Sequence, residues 1–285
     1  MEHLRRDGLV FDVSDLGPPE GDVVVLLHGW PQDRSAWSAV GERLAAEGLR
    51  VLAPDQRGYS PGARPRGRAA YRMSQLVADV LALVDASGHE RVHLVGHDWG
   101  GAVAWAFAER HPERLHSLTV VSTPHHHAMA WALRHGDQAR RSWYMLAFQL
   151  PLLPEAVLRR RLAEVLRGSG LPEEHAQRYV ARFRQPGAAG GGLAWYRALR
   201  PRLTRLVRKR RAGGGRAPAQ VTVPTTYLWG QDDPALGRAA AERTARWVGA
   251  DYRFVEVEAG HWLPETHPDV VAAAVLERVR AGRQG

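Results

Sequence analysis

The sequence predicts an α/β fold in which a mostly parallel sheet is covered by helices on both faces. Short apolar runs rich in β-branched residues alternate with segments of helical periodicity, which is typical of parallel strands joined by crossover helices. Between residues 124 and 223 the alternation stops and the patterns are helical throughout. We therefore expect one core domain, residues 1–123 and 224–285, into which a helical cap, residues 124–223, is inserted.

The predicted core elements follow in order along the chain. Residues 9–13 predict an edge strand, and residues 23–27 (V-V-V-L-L) predict a strand that is buried on both faces. Further strands are predicted at residues 50–54, 92–95, 118–122, 225–230 and 252–257. Helices are predicted at about residues 35–47, 73–86 and 102–109, after residue 230 as far as Trp247, and at residues 269–280.

Composition excludes several kinds of chemistry. The chain has no cysteine, which excludes disulfides, metal thiolates and a cysteine nucleophile. The first residues contain no apolar run and no stretch reaches the length of a membrane span, so we expect a cytoplasmic protein without a membrane partner. The net charge is +9, and arginines crowd residues 200–216 together with Lys209. Because no aromatic residue interleaves them, we expect a solvated helix face and no nucleic-acid partner.

The strand at residues 92–95 runs into a turn with the sequence G-H-D-W-G-G, residues 96–101. Glycines are needed on both sides of Asp98 because larger side chains would collide where the strand and the next helix cross. Such a turn lifts its middle residue above the sheet, where it can act as a nucleophile. Capping of the helix is the alternative role for Asp98. Capping, however, does not require glycines in the first helical turn, where they weaken a helix.

Two later strand ends carry the partners that a carboxylate nucleophile needs. Asp233 follows one predicted strand and His261 follows the last one, so the chain order is nucleophile, acid, histidine. We interpret His261 as the base and Asp233 as the acid that orients its ring, with the neighbouring Asp232 as the alternative acid.

An oxyanion hole requires two backbone N–H groups beside the nucleophile. Trp99 supplies one of them, and Trp30 supplies the other from the loop that follows residues 23–27. His28 in the same loop is expected to order the turn. Three consecutive histidines, residues 125–127, suggest a metal site. Adjacent side chains point in different directions, however, and we expect neither a metal nor a cofactor.

Four motifs of the predicted core together resemble the epoxide hydrolase branch of the α/β-hydrolases, and the resemblance covers nearly the whole chain. They are H-G-W-P at residues 28–31, D-Q-R-G-Y-S at residues 55–60, V-G-H-D-W-G-G at residues 95–101 and A-G-H-W at residues 259–262. The resemblance implies the α/β-hydrolase fold and a reaction in two steps. Asp98 would open an epoxide to form an alkyl-enzyme ester, and water activated by His261 and Asp233 would release a vicinal diol. The implied partners are a small epoxide and water, and a homodimer is left open.

The resemblance also implies two cap tyrosines that protonate the leaving epoxide oxygen. Residues 193–198 (L-A-W-Y-R-A) resemble the segment that carries one of them, which identifies Tyr196; the family's preceding asparagine is Ala194 here. The other tyrosine is missing, because its position is occupied by Ala147. Tyr144, three residues earlier on the same helix face, is the candidate replacement. The alternatives are that Tyr196 works alone or that both tyrosines only pack.

Two other functions remain open at this stage. A haloalkane dehalogenase has the same type of nucleophile, and the Trp99 indole could bind a halide, but such enzymes usually carry Asn or Glu where this chain has Trp30. A non-catalytic binding protein would accommodate the missing tyrosine at Ala147 but leaves the set of nucleophile, acid and base unexplained. The residues expected to contact substrate are Trp30, Trp99, Phe148, Tyr196 and Trp262.

Overall fold

The computed structural model describes residues 1–199 and 220–282, and its strands form a single sheet. The strands are β1 (His3–Arg6), β2 (Leu9–Leu16), β3 (Val23–Leu27), β4 (Arg50–Pro54), β5 (Val92–His97), β6 (Leu115–Val121), β7 (Thr225–Gly230) and β8 (Tyr252–Val257). Their order in the sheet is β1-β2-β4-β3-β5-β6-β7-β8. The pairs from β4 to β8 are parallel, whereas β2 pairs antiparallel with both β1 and β4. The predicted mostly parallel sheet is confirmed.

Helices connect the parallel strands, and a run of helices separates β6 from β7. The helices are α1 (Ser38–Ala46), α2 (Met73–Ser87), α3 (Trp99–Arg110), α4 (His126–His135), α5 (Gln138–Arg141), α6 (Trp143–Ala147), α7 (Leu153–Gly168), α8 (Glu173–Phe183), α9 (Ala188–Ala198), α10 (Arg238–Arg243), α11 (Leu263–Thr266) and α12 (Pro268–Gly282). Helices α4 to α9 fall inside the predicted cap. The arginine-rich run and the end of the predicted cap lie largely outside the described residues, so the cap boundaries stay a prediction.

The two central strands are buried throughout because helices cover both faces of the sheet. Every residue of β3 and β5 is buried, and the two strands pair in parallel with Leu27 beside Gly96. Parallel neighbours end at the same edge of a sheet. The loops that carry Trp30 and Asp98 therefore leave the sheet side by side, and the loops after β7 and β8 do the same.

The edges of the sheet differ most from the prediction. Strand β1 has the sequence H-L-R-R and was not predicted, because Leu4 is its one apolar residue and the strand is held by backbone pairing with β2. Strand β2 extends to Leu16, and α3 already begins at Trp99. No helix in the described part of the chain combines the length and apolar character needed to cross a bilayer.

Polar contacts join the inserted helices to the core. The Trp195 indole on α9 donates to the Arg57 carbonyl over 2.7 Å, and both groups are buried. On α8, Arg182 forms an ion pair with the buried Asp55 of the core. These contacts hold the inserted helices over the carboxyl ends of the strands, where open α/β sheets bind their ligands.

Candidate active site

Asp98 occupies the turn between β5 and α3 with a backbone conformation that is unusual for a non-glycine residue. Its φ is 50° and its ψ is −121°. A positive φ on a side chain larger than glycine costs of order 1–3 kcal/mol and is most often found at functional sites. The Asp98 side chain makes no capping hydrogen bond to α3. The capping alternative is therefore wrong, because the carboxylate is bonded to the Trp30 amide in the loop after β3.

Two glycines allow these loops to come together. A Cβ on Gly100 would lie 2.1 Å from the carbonyl oxygen of Leu27, and a Cβ on Gly29 would lie 2.3 Å from the Cβ of Asp98. Neither distance is compatible with a side chain. Glycine at both positions lets the loop after β3 pack directly against the turn that carries Asp98.

The two carboxylate oxygens of Asp98 have different surroundings. Oδ1 accepts a 2.7 Å hydrogen bond from the backbone N–H of Trp30, and the backbone N–H of Trp99 lies near enough to lower the pKa of the carboxyl. Oδ2 lies 3.8 Å from Nε2 of His261. The structure thus brings both predicted oxyanion-hole residues close to Asp98 and places Oδ2 on the side of His261.

The predicted acid and base are in direct contact. His261 Nδ1 and Asp233 Oδ2 are 2.7 Å apart, and both side chains are buried. The second oxygen of Asp233 accepts from the backbone N–H groups of Ala235 at 2.8 Å and Leu236 at 2.9 Å. Asp232 points into solvent. Of the two candidate acids, the structure brings only Asp233 to His261.

The ring of His261 lies between two carboxylates. Burial opposes its positive charge, but attraction and hydrogen bonding to Asp233, with a further contribution from Asp98, raise the pKa of His261 to about 9. Burial raises the pKa of Asp98, and His261 and the two tryptophan amides act in the opposite direction. At neutral pH the geometry therefore favours a protonated His261 ring.

A cavity of about 310 Å³ opens above Asp98, with mostly apolar walls. Both tyrosines line it, their ring centroids 6.1 Å apart, and Tyr196 also meets the Trp99 ring at 5.0 Å. Burial, followed by the nearby negative charge, raises the pKa of both phenols above the ordinary value, so both keep their protons at neutral pH. The remaining lining residues are Met73, Ala102, Ala106, Glu109, Arg110, Thr123, Pro124, His126, Met129, Met145, Leu199 and Leu236.

Three of the residues expected to contact substrate stand behind this lining. The rings of Trp30 and Phe148 pack against Tyr196, at centroid distances of 5.9 Å and 5.0 Å. Trp262 packs against the ring of His261, and its indole donates to the Ser169 hydroxyl. Trp30 and Phe148 thus support the lining residue Tyr196, and Trp262 supports His261, whereas Trp99 and Tyr196 form part of the lining.

A buried polar network below the site was not predicted. Gln32 accepts from the backbone N–H of Gly29, and its amide donates to Glu265 over 2.7 Å. His97 donates from Nε2 to the carbonyl oxygen of His261, and its Nδ1 lies 2.9 Å from Oε1 of Gln32. The network ties the loops of the nucleophile, the oxyanion hole and the histidine together. Its members are up to 233 residues apart in the chain, so no local pattern could reveal it.

Helix α5 forms hydrogen bonds to the loop that carries Asp233. Gln138 on α5 is buried; its amide donates to the carbonyl of Ala235, and its oxygen accepts from the backbone N–H of Gly237. Arg141 on the same helix donates to the carbonyls of Asp233 and Pro234. The position of Asp233 therefore depends on the inserted segment as well as on the core.

Comparison with known proteins identifies the family. Residues 22–268 match the family described as the alpha/beta hydrolase fold. The chain is 34% identical over 288 residues to the AB hydrolase superfamily protein YfhM of Bacillus subtilis, which covers 98% of this chain and 97% of that protein. It is 32% identical to epoxide hydrolase A of Mycobacterium tuberculosis, over 96% of this chain and 95% of the relative.

Solved structures show the same architecture. The crystal structure of epoxide hydrolase A from Mycobacterium thermoresistibile matches with a TM-score of 0.81 at 28% identity, over 98% of this chain and 97% of that one. The predicted α/β-hydrolase fold is confirmed by both the family match and this structure. The chain is thus a hydrolase of the alpha/beta hydrolase fold family and belongs to its epoxide hydrolase-like branch.

Proposed function

We propose that this protein hydrolyses epoxides to vicinal diols through a covalent ester on Asp98, under a cap formed by residues 124–223. One observation carries the proposal: Oδ1 of Asp98 is bonded to the Trp30 amide with the Trp99 amide nearby, while Oδ2 lies 3.8 Å from Nε2 of His261. Relatives named as epoxide hydrolases support the same class of reaction.

In the first step, Oδ2 of Asp98 attacks one carbon of the epoxide. The bond between that carbon and the ring oxygen breaks, its electron pair stays on the oxygen, and an alkyl ester forms. A carboxylate is competent for this attack because ring strain weakens the bond that breaks. The developing alkoxide takes a proton from the phenol of Tyr196 or Tyr144. Both phenols line the cavity, and their raised pKa values keep them protonated until the alkoxide develops.

In the second step, a water molecule hydrolyses the ester. His261 Nε2 accepts a proton from the water, and the hydroxide adds to the carboxyl carbon of Asp98. The negative charge then develops on Oδ1, where the amides of Trp30 and Trp99 stabilise it. Collapse of this intermediate breaks the bond between the carbon and Oδ2, and the leaving oxygen takes the proton that His261 has accepted from the water. The diol leaves with Oδ2 as one of its two hydroxyl oxygens, and the water oxygen remains in Asp98.

Ester formation itself prepares His261 for the second step. In the free enzyme the charge of Asp98 helps to raise the pKa of His261 to about 9. Once Asp98 is esterified, that charge is gone and the pKa of His261 falls. The ring can then release its proton and act as a base, held by its bond to Asp233.

The fate of the oxygen atoms tests this mechanism. The protein is mixed in excess with styrene oxide in water enriched in ¹⁸O, so that each molecule turns over once. We expect an unlabelled diol, together with one heavy oxygen in the peptide that contains Asp98, both measured by mass spectrometry. Label in the diol after one turnover would contradict the covalent route.

The matched control is Asp98→Ala, which removes the nucleophile. We expect neither diol nor a labelled peptide from this variant. Free bromide from a bromoalkane, without any diol from the epoxide, would instead favour the dehalogenase alternative. Ligand binding without turnover, unchanged in Asp98→Ala, would favour a non-catalytic binding protein.

A further inference from the structure

Three side chains gather at the far end of the cavity that Asp98 lines. Glu109 lies near the end of α3, and His125 and His126 stand at the start of α4. Oε1 of Glu109 is 3.0 Å from Nε2 of His125 and 3.6 Å from Nε2 of His126, and all three atoms lie within 4.8 Å of one another. The structure thus brings two of the three consecutive histidines onto one carboxylate, which their adjacency in the chain argued against.

These distances suit a metal ion with short bonds. Zinc binds histidine nitrogen and carboxylate oxygen at about 2.0–2.2 Å in a tetrahedral arrangement, which places two ligand atoms roughly 3.3 Å apart. The distances from Glu109 Oε1 to the two histidine nitrogens, 3.0 Å and 3.6 Å, lie on either side of that value. The two nitrogens must come closer together. The His126 side chain can turn to do so because half of it is exposed.

We propose that Glu109, His125 and His126 bind one Zn²⁺ and that the ion obstructs the cavity above Asp98. Two histidines and one carboxylate form a ligand set that zinc favours, and they leave a fourth position for water. Glu109 and His126 line the same cavity as Asp98. Glu109 comes eleven residues after Asp98, so the ion lies roughly 16 Å along the α3 axis from the nucleophile.

Binding requires one proton to move. His125 Nδ1 accepts a 3.3 Å hydrogen bond from the backbone N–H of His127, so the ring proton sits on Nε2 and is donated to Glu109. Zn²⁺ takes the place of that proton, and the ring becomes protonated on Nδ1 at the cost of the weak bond to His127. Arg110 lines the same part of the cavity and its charge opposes the ion, so we expect moderate affinity.

Calorimetric titration of the full chain with ZnCl₂, prepared without a histidine tag, measures the site directly. We expect one ion per chain, and an affinity at least about tenfold weaker in Glu109→Gln and in His126→Ala. The matched control is His135→Ala, which removes an exposed histidine of the same helix whose ring bonds to the Trp131 carbonyl; the affinity of this variant should equal that of the unchanged protein. A zinc-dependent rise in Tm should follow the same order.

Diol formation measured with and without Zn²⁺ tests the obstruction. We expect reversible inhibition, relieved by EDTA, in the unchanged protein and in His135→Ala, and none in His126→Ala. If no ion binds, or if Zn²⁺ binds equally well to all variants, the proposed zinc site is wrong. If Zn²⁺ binds without inhibiting diol formation, the proposed obstruction of the cavity is wrong. The inhibition assay rests on the proposed function, whereas the titration does not, so failure of one can be told from failure of the other.

Discussion

The floor and the roof of the cavity are held in place by different forces. The floor is the group Asp98, Asp233 and His261, which sits on the loops after the strands and is fixed by hydrogen bonds from backbone and side chains. The roof consists of Tyr144 and Tyr196 on the inserted helices. The rings of these two tyrosines are held by packing against neighbouring rings, at centroid distances of 5.0–6.1 Å.

This difference explains where the chain tolerates change. The proposed ester hydrolysis needs a base, an acid and two amides in one geometry, and hydrogen bonds fix the floor in such a geometry. Ring packing allows a donor hydroxyl to come from a neighbouring helical turn, since the requirement is a phenol that reaches the cavity. Tyr144 reaches the cavity beside Tyr196, whereas position 147 carries an alanine. The roof can therefore carry its second tyrosine at an unusual position, 144, whereas the floor keeps Asp98, Asp233 and His261.

The largest effect should come from breaking the floor with His261→Gln. We expect ester hydrolysis to slow by about 10³-fold or more, because the base is lost, while attack by Asp98 continues. The alkyl-enzyme should therefore accumulate and appear as added mass in the intact protein. Asp232→Asn is the matched control, because Asp232 is exposed and lies outside the site. If His261→Gln turns over normally, or forms no adduct, the assignment of attack to Asp98 and of ester hydrolysis to His261 is contradicted.

Removal of the roof hydroxyls should give an intermediate effect on the opposite step. We expect Tyr196→Phe to slow ester formation by about 10²-fold, Tyr144→Phe to slow it less, and the double variant to slow it most. No adduct should accumulate, because hydrolysis of the ester is untouched. Rapid-quench kinetics measure the step, and Tyr252→Phe serves as a control, since the Tyr252 hydroxyl is buried without a partner in the described residues. Unchanged ester formation in the double variant would show that the tyrosines only pack.

The smallest effect should come from loosening the contact between roof and floor. Gln138→Ala removes the hydrogen bonds to Ala235 and Gly237, and we expect about tenfold slower ester hydrolysis with little change in ester formation. If Asp233 becomes less well placed, the pKa of His261 falls from about 9 toward its ordinary value. NMR titration of the ring measures this shift, and the exposed Gln177→Ala is the control. An unchanged pKa would make the role of Gln138 purely structural.

The agreement between sequence and structure depends on how far apart the interacting residues are. Strands β3, β4, β7 and β8 begin and end at the predicted residues. The first three are short, largely buried runs, whereas β8 combines apolar residues with the exposed Arg253 and Glu256. The short, charged β1 escaped prediction because its stability comes from its neighbour. The sequence favoured Asp233 over Asp232 but left Asp232 as the alternative, because only the folded turn, in which Asp233 bonds to the Ala235 amide, shows which carboxylate faces His261.

Local sequence is sufficient to predict the fold, the turn at Asp98 and the chain order of its partners, because periodicity and glycine spacing act over a few residues. The tertiary structure alone decides which oxygen of Asp98 meets the Trp30 amide, and that Gln32 reaches Glu265. It likewise decides that two consecutive histidines converge on Glu109. Such contacts depend on how the loops at the strand ends and the inserted helices pack together. No pattern within one segment encodes that packing.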